Sequence, residues 1–413
     1  MGTTGASWLH HRAVNTGRRR MWAWVLCPLF AVLLVFPLRA ADLDAFWSTQ
    51  RKGGNSFNEV PPDEAYFQAL ADSGATWVRL TFSKWHGAGR DFLMGDADAY
   101  AGLMQEDLAV LRRTLDAAHA AGMKVVVTPL SLPGARWEQH NDGKFDDRLW
   151  SQAEYAEQSV RFWRDLADAL KDHPAIAAYN VINEPVPEKT TGLRENGTAD
   201  SLRAWQLAHA GTARDLPAFY ERVIEAIREV DPVTPVMVDG GHYANPRSLA
   251  AWPGPLTDDR VLYAFHMYEP YMATSAPNMK LAVPLRYPGV ESEVEGRQLA
   301  WDRDAVAEHI GTAFDWAEAH GIPANRMVIA EFGCMRRWVD CETYLGDVID
   351  AADARGGHWA FYAFREDVWD GMDYELPADL STGNFYWLKE SGKAETLPRD
   401  GALMKLLRHR MAE

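Results

Sequence analysis

Three features of the chain predict an α/β fold of the (β/α)8, or TIM, barrel class. Eight short apolar runs recur along it, amphipathic stretches separate them, and two of the runs stop at a glutamate followed by a turn residue or a loop. Apolar runs alternating with amphipathic ones are the pattern of βα units, and eight such units close a barrel. A doubly wound sheet would want a Gly-rich phosphate turn after its first strand, and none is present. At 413 residues the chain could hold roughly two or three average domains, yet one barrel with long insertions absorbs nearly all of it. No repeat, low-complexity tract or linker-like stretch divides it, so a single barrel domain is expected over 41–413.

Residues 1–40 are read as an address, not as fold. Arg18, Arg19 and Arg20 form a basic start, Met21 to Leu38 is apolar, and Leu38-Arg39-Ala40-Ala41 offers small residues for cleavage. A secretory signal removed after Ala40 or Ala41 is expected, with a secreted or periplasmic product. The 18-residue apolar run is also long enough for an uncleaved membrane anchor, which stays open.

Strands are expected near 53–57, 76–82, 124–130, 176–183, 234–239, 261–267, 326–331 and 357–363. Helices are expected at 62–73, 103–121, 153–171, 216–230, 302–320 and 341–355. Asp172-His173-Pro174 ends the third helix and launches the strand after it. His320-Gly321-Ile322-Pro323 does the same before the strand that carries Glu331, with Gly321 suited to the left-handed residue past a helix end. Long connections at 184–215, 268–301 and 364–398 all follow strands, so in a barrel they gather on one face and would build a groove.

The formal charge is −16, and without residues 1–40 the balance is 37 basic against 58 acidic residues, or −21. Such a surface disfavours nucleic acid and anionic membranes and suits a neutral polymer or small sugar. Seventeen tryptophans are many for the length; ordinary burial places most of them in the core, but aromatic faces also suit sugar rings. Cys334 and Cys341, with six residues between them, are the only cysteines past the signal and are expected to form a disulfide, two free buried thiols being the alternative. No cofactor is implied, and no His or Cys pair stands at zinc-ligand spacing, so no metal is expected. Asn196-Gly197-Thr198 matches a glycosylation sequon, a weak signal by itself.

The chemistry concentrates at Glu184 and Glu331. The first follows Ala177-Ala178-Tyr179-Asn180-Val181-Ile182 and precedes Pro185; the second follows Met327-Val328-Ile329-Ala330. An apolar run that stops at a carboxylate reads as a buried parallel strand delivering that acid to a loop. Two acids on strand ends of one barrel face are what glycoside hydrolysis needs, one to protonate the leaving oxygen and one to attack the anomeric carbon or activate water. Arg79 sits inside an apolar run, and a buried arginine needs an anion, for which Glu331 is the economical candidate. His266 and Tyr268, two residues apart, point to one face of their strand. His242 and Tyr243 follow the fifth strand, and either could line the groove. Trp359 on the last strand packs in the barrel or faces the sugar, and Trp85, Trp137 and Trp338 are possible stacking platforms.

At this point the chain resembles glycoside hydrolase family 5, within the wider clan of (β/α)8 retaining enzymes. The resemblance runs over roughly 50–370 and rests on motifs in order: Trp77-Val78-Arg79-Leu80, Asn183-Glu184-Pro185, His266-Met267-Tyr268 and Ile329-Ala330-Glu331-Phe332-Gly333. It implies Glu184 as acid/base, Glu331 as nucleophile, Asn183 on the sugar 2-hydroxyl, Arg79 near the nucleophile, and a β-linked glucan, mannan or related glycan as substrate. The chain departs from the family twice. Leu130 stands where many members end the third strand in histidine, and Tyr362 where the eighth strand often ends in tryptophan. Both departures touch the sugar at the cleaved bond, leave the two acids in place and suggest a divergent subgroup. They also keep a binding-only barrel open, beside a transglycosylase on the same scaffold. A metal-dependent barrel hydrolase would need grouped ligands, and only His242 and His266 offer themselves.

Overall fold

The computed structural model describes residues 39–413 apart from 368–369, 384–387, 389–390 and 394–396. The signal reading falls on residues outside the described ones, except that Arg39 and Ala40 already belong to a helix over 39–47 (α1). Eight parallel strands close the barrel: β1 Lys52–Ser56, β2 Trp77–Thr81, β3 Lys124–Thr128, β4 Ile176–Asn180, β5 Val236–Asp239, β6 Val261–Met267, β7 Met327–Phe332 and β8 His358–Phe361. All eight expected strands are found, with β8 pairing back to β1.

Each strand sorts its residues by a period of two. Val78, Leu80, Val125, Val127, Tyr263, Phe265, Ile329, Trp359 and Phe361 join the large apolar layer between barrel and helices. Trp77, Val126, Ala178, Met237, Ala264, Ala330 and Ala360 fill the barrel interior as a second, smaller cluster. Continuing the inward set toward the strand ends brings Arg79, Thr128, Asn180, Asp239 and His266, so the interior turns from apolar to polar at the face where the loops leave.

Strand β7 breaks the alternation. Ala330 faces inward, so strict alternation would send Glu331 outward into the helix layer. The register against β6 shifts here: Phe265 pairs with Ile329 but His266 pairs with Glu331. The extra residue is a bulge, which re-aims Glu331 to the interior side.

The helical layer comprises α2 Glu64–Ala71, α3 Gln105–Ala120, α4 Ala153–Leu170, α5 Ala199–His209, α6 Leu216–Arg228, α7 Pro246–Ala250, α8 Arg303–Ala319, α9 Cys341–Arg355 and α10 Ala402–Ala412. Asp63 and Asp302 cap α2 and α8 by accepting from backbone N–H groups, and Gly356 ends α9 at φ 72°. The helices at 39–47, 199–209, 246–250 and 402–412 go beyond the sequence expectation, as does a hairpin of Glu291–Val294 with Arg297–Ala300 inside the long connection after β6. Thr198 of the sequon caps α5.

Helix α1 stoppers the barrel at the end opposite the loops. Leu43 and Trp47 belong to the interior cluster. Trp47 Nε1 donates to the Ala177 carbonyl at 3.0 Å, and its ring meets Trp77 and His358 edge-on at 5.6 and 4.8 Å. Cys334 and Cys341 form the expected disulfide, closing the loop between β7 and α9. Among the described residues no helix is long and apolar enough to cross a membrane.

Candidate active site

Arg79 is the floor of the site. It is fully buried, and each of its five N–H donors has an acceptor. Nε donates to Asn180 Oδ1 at 2.8 Å; Nη1 donates to Glu331 Oε1 at 2.6 Å and Asn55 Oδ1 at 3.3 Å; Nη2 donates to Asn183 Oδ1 at 2.8 Å and Asp239 Oδ2 at 3.3 Å. Asn55, from β1, is fixed in turn by donating to the Ala330 carbonyl at 2.9 Å, and Asn180 by donating to Asp239 Oδ1 at 2.9 Å. Five strands thus converge on one guanidinium, which ties their ends at a fixed spacing.

The two glutamates stand over this floor in unlike surroundings. Glu331 accepts from Arg79 on one oxygen and from the Tyr268 hydroxyl on the other, at 2.8 Å. Burial pushes its carboxyl up; His266 and Arg79 pull it back most strongly, and the Tyr268 bond adds to that. Glu184 has no such donors. Its backbone, at φ 50°, is left-handed and is held by its own N–H to Asp239 Oδ2 at 3.2 Å. Its carboxyl meets His266 Nδ1 at 3.0 Å and the side chain of Asn183. Burial lifts Glu184 to about 8, with Arg79 opposing and Asp239 adding to the rise.

His266 links the pair. Nδ1 lies 3.0 Å from Glu184 and 3.8 Å from Glu331, while Nε2 lies 3.6 Å from Asp239. Burial lowers its pKa, so the ring is neutral at neutral pH and carries one proton to share.

Beside Glu184 opens a cavity of about 160 Å³, lined by Leu130, Trp137, Phe145, Trp150, Lys189 and Tyr243 among others. Lys189 rides over the Phe145 ring at 4.5 Å and the Tyr243 ring at 5.6 Å. Tyr362 lies on the other side, its ring edge-on to Phe57 at 5.3 Å and its hydroxyl within reach of the charges of Glu366, Glu331 and Glu184.

The structure therefore brings Arg79, Asn183, Glu184, His266, Tyr268, Glu331 and Tyr362 to one place. Two residues expected to meet substrate are elsewhere. Trp359 points outward from β8 into the helix layer, fully buried, and donates to Asp353 at 3.0 Å; the alternation of the strand puts Tyr362 inward and Trp359 out. His242 turns into the fold, its Nδ1 2.9 Å from Ser248 and its N–H on Glu188. Residues 242–244 are all left-handed, with φ of 47°, 58° and 60°, which breaks the alternation and presents Tyr243 to the cavity instead. Of the three tryptophans considered as platforms, Trp137 reaches the cavity. Trp85 packs on Phe92 at 5.2 Å, and Trp338 donates to the Leu285 carbonyl at 2.8 Å. Asp239, Asn180 and Asn55 escaped the sequence reading, although Asp239 carries the same signal as the glutamates, an apolar run ending in an acid.

Ligand atoms of Glu184, His266 and Glu331 come within 4.8 Å of one another, a spacing an ion could use. The charge arrangement argues against one, because Arg79 already compensates Glu331 and the Tyr268 hydroxyl holds its second oxygen. What the arrangement offers is two buried carboxyls on strand ends of one face, both raised by burial, with Arg79, His266 and Tyr268 opposing that rise at Glu331.

The cellulase family, glycosyl hydrolase family 5, matches residues 41–367. A β-xylosidase of Phanerodontia chrysosporium is 25% identical over 267 residues, 63% of this chain and 44% of that protein. A probable glucan 1,3-β-glucosidase A of Aspergillus fumigatus is 26% identical over 210 residues, 49% of this chain and 41% of that protein. The chain thus spans less than half the length of these two relatives. The solved endoglucanase Cel5A of Pseudomonas stutzeri with cellobiose shares the fold, with a TM-score of 0.58 at 18% identity over 88% of this chain and 92% of that one. With that match across most of its length, the chain belongs to glycosyl hydrolase family 5.

Proposed function

We propose that the enzyme cleaves β-glycosidic bonds of a glucan, mannan or related glycan with retention, using Glu331 as nucleophile and Glu184 as acid/base. The observation that carries this is the approach of the two carboxylates to within 4.8 Å, with Arg79 and Tyr268 donating to one of them only. Retaining enzymes hold their carboxyl groups about 5–5.5 Å apart, whereas inverting ones leave room for a water, about 6.5–9.5 Å.

In the first step a Glu331 oxygen bonds to the anomeric carbon as the bond to the leaving oxygen breaks, and that oxygen takes the Glu184 proton. Esterification removes the Glu331 charge, so Glu184 loses a repelling neighbour and becomes a base. It then takes a proton from water, whose oxygen attacks the same carbon and frees Glu331. Neutral His266 steadies Glu184 in both states, since Nδ1 can accept from the acid or donate to the base. Asn183, which accepts from Arg79, would meet the 2-hydroxyl. Export as a secreted or periplasmic enzyme belongs to the same reading; the Cys334–Cys341 bridge supports an oxidising compartment.

The test is product release from β-1,4-glucan, β-1,3-glucan, β-mannan, xylan and aryl β-glycosides, with Glu331→Gln run alongside. Activity on one class, lost in the variant with the fold intact, is expected. Undiminished turnover by the variant would remove Glu331 from the chemistry.

A further inference from the structure

The cavity beside Glu184 lies to one side of the reacting pair. Asn183, Glu184 and Pro185 form one edge of it, whereas Glu331, Arg79, Tyr268 and Tyr362 do not border it. In a displacement the nucleophile and the departing oxygen stand on opposite faces of the anomeric carbon, and the acid stands beside that oxygen. A space bordered by the acid and not by the nucleophile therefore receives the leaving group. Which leaving group fits is set by the chemistry of the walls.

Most of the surface the cavity exposes is apolar. It comes from Leu130 beyond β3, from Trp137, Phe145 and Trp150 in the connection to α4, and from Val186 and Tyr243 beyond β4 and β5. The charged side chains around it are already paired. Arg136 donates to Asp91 at 2.8 and 2.9 Å, to Asp96 at 3.0 Å and to Asp98 at 3.1 Å. Asp146 accepts from Arg148 at 2.7 and 2.8 Å. Lys189 donates to Glu138 and to the Tyr243 hydroxyl. The Trp137 N–H has no surface open to the cavity, so the indole meets it with carbon, and the Gln139 amide sits at the exposed rim. A sugar entering this space would bury hydroxyls without polar partners, which is costly; an aromatic ring needs none. The volume, about 160 Å³, is close to the roughly 150 Å³ of an apolar protein cavity that takes up benzene.

We propose that this cavity receives a compact apolar aglycone, so that the β-glycosidic bond cleaved best joins a sugar to an alcohol the size of a benzyl or aryl group. That group departs as the free alcohol, its oxygen carrying the Glu184 proton. The proposal rests on the reading of Glu331 as nucleophile and Glu184 as acid/base, and extends it to the half of the substrate that the two carboxylates do not define.

The test gives the full chain matched β-glycosides of glucose, mannose, xylose and cellobiose, each joined either to benzyl alcohol or to a mono- or disaccharide. Benzyl alcohol is no better a leaving group than a sugar hydroxyl, so a preference for it reports binding in the cavity and not easier chemistry. For the glycone accepted, kcat/KM is expected to favour the benzyl glycoside by about 10- to 100-fold, the gain from burying one aromatic ring. In Phe145→Ala and in Leu130→Asn that ratio should contract to about threefold or less, whatever either variant does to both substrates in common. A wild type that takes the sugar aglycone as well as benzyl or better, or variants that keep the wild-type ratio, would overturn the proposal and leave the glycosidase reading standing. Thermal melting checks each fold, and a variant that does not fold is replaced by Tyr243→Ala, read by the same ratio. Wild type inactive on these glycosides and on the polysaccharides named above, or Glu331→Gln fully active, would overturn the reading of the two carboxylates and the proposal with it.

Discussion

Glu331 and Glu184 are the same side chain set into opposite materials. The floor under Glu331 is buried and charged: Arg79 with all donors engaged, Asp239, three asparagines and the Tyr268 hydroxyl. The wall beside Glu184 is a largely aromatic cavity, and its carboxyl meets the His266 imidazole and the Asn183 amide in place of a bonded arginine. Identical acids therefore acquire different proton affinities from what donates to them, and the division of labour proposed for them would be a property of the surroundings. The difference has a geometric source as well, since Glu331 is delivered by a bulge inside a strand and Glu184 by a left-handed residue beyond one.

The contrast is tested most severely at Glu184. Replacing it with Gln should lower turnover of glycosides with poor leaving groups by about 10²–10⁴-fold. The acid form of Glu184 persists up to about pH 8, so kcat/KM should fall above that pH in wild type, and this alkaline limb should vanish in the variant. Stability should follow the same group. From its ordinary 4.5 up to about 8 the folded state keeps a proton that the unfolded chain releases, so stability declines as pH rises through this window, and Glu184→Gln should flatten that slope in urea titrations.

On the floor, Arg79→Met would leave two buried carboxylates uncompensated and should cost about 3–5 kcal/mol of stability, read from urea midpoints at neutral pH. A loss under 1 kcal/mol would mean the floor is less dependent on its cation than the hydrogen bonds imply. Tyr268→Phe removes one hydrogen bond to a charged oxygen, worth about 1.5–3 kcal/mol, and should lower kcat/KM by roughly 10- to 100-fold. In the cavity, Trp137→Ala should act mainly on KM, by about tenfold at most, since stacking contributes about 0.5–1.5 kcal/mol beyond burial. A kcat collapse there, with KM unchanged, would mean that the aromatic wall takes part in the chemistry and that the two regions are less separate than they look.

The strands were legible because each is a compact apolar run, and the positions of Glu184, Arg79, Asn183, His266 and Tyr268 followed from where those runs end. Glu331 could be placed at a strand end but not on a face: alternation alone sends it outward, and the bulge that returns it has no signature in Met-Val-Ile-Ala-Glu. The same alternation rule, applied to β8, would have excluded Trp359 had the inward register of Ala360 been known. His242 was lost to three consecutive left-handed residues, which side chains other than glycine rarely adopt and which a sequence does not announce. Asp239 was visible as an acid ending an apolar run, but without the barrel there was no means to tell that it faces Arg79.

Helix α1 seals the barrel floor with Trp47 and Leu43, on the face away from the loops. Its first described residue, Arg39, is bonded to Thr234 at the same end. A solid support or fusion partner joined ahead of that helix would hold the enzyme with its substrate groove turned outward. Immobilisation through the amino-terminal side is therefore the orientation that leaves the loop face and its cavity open.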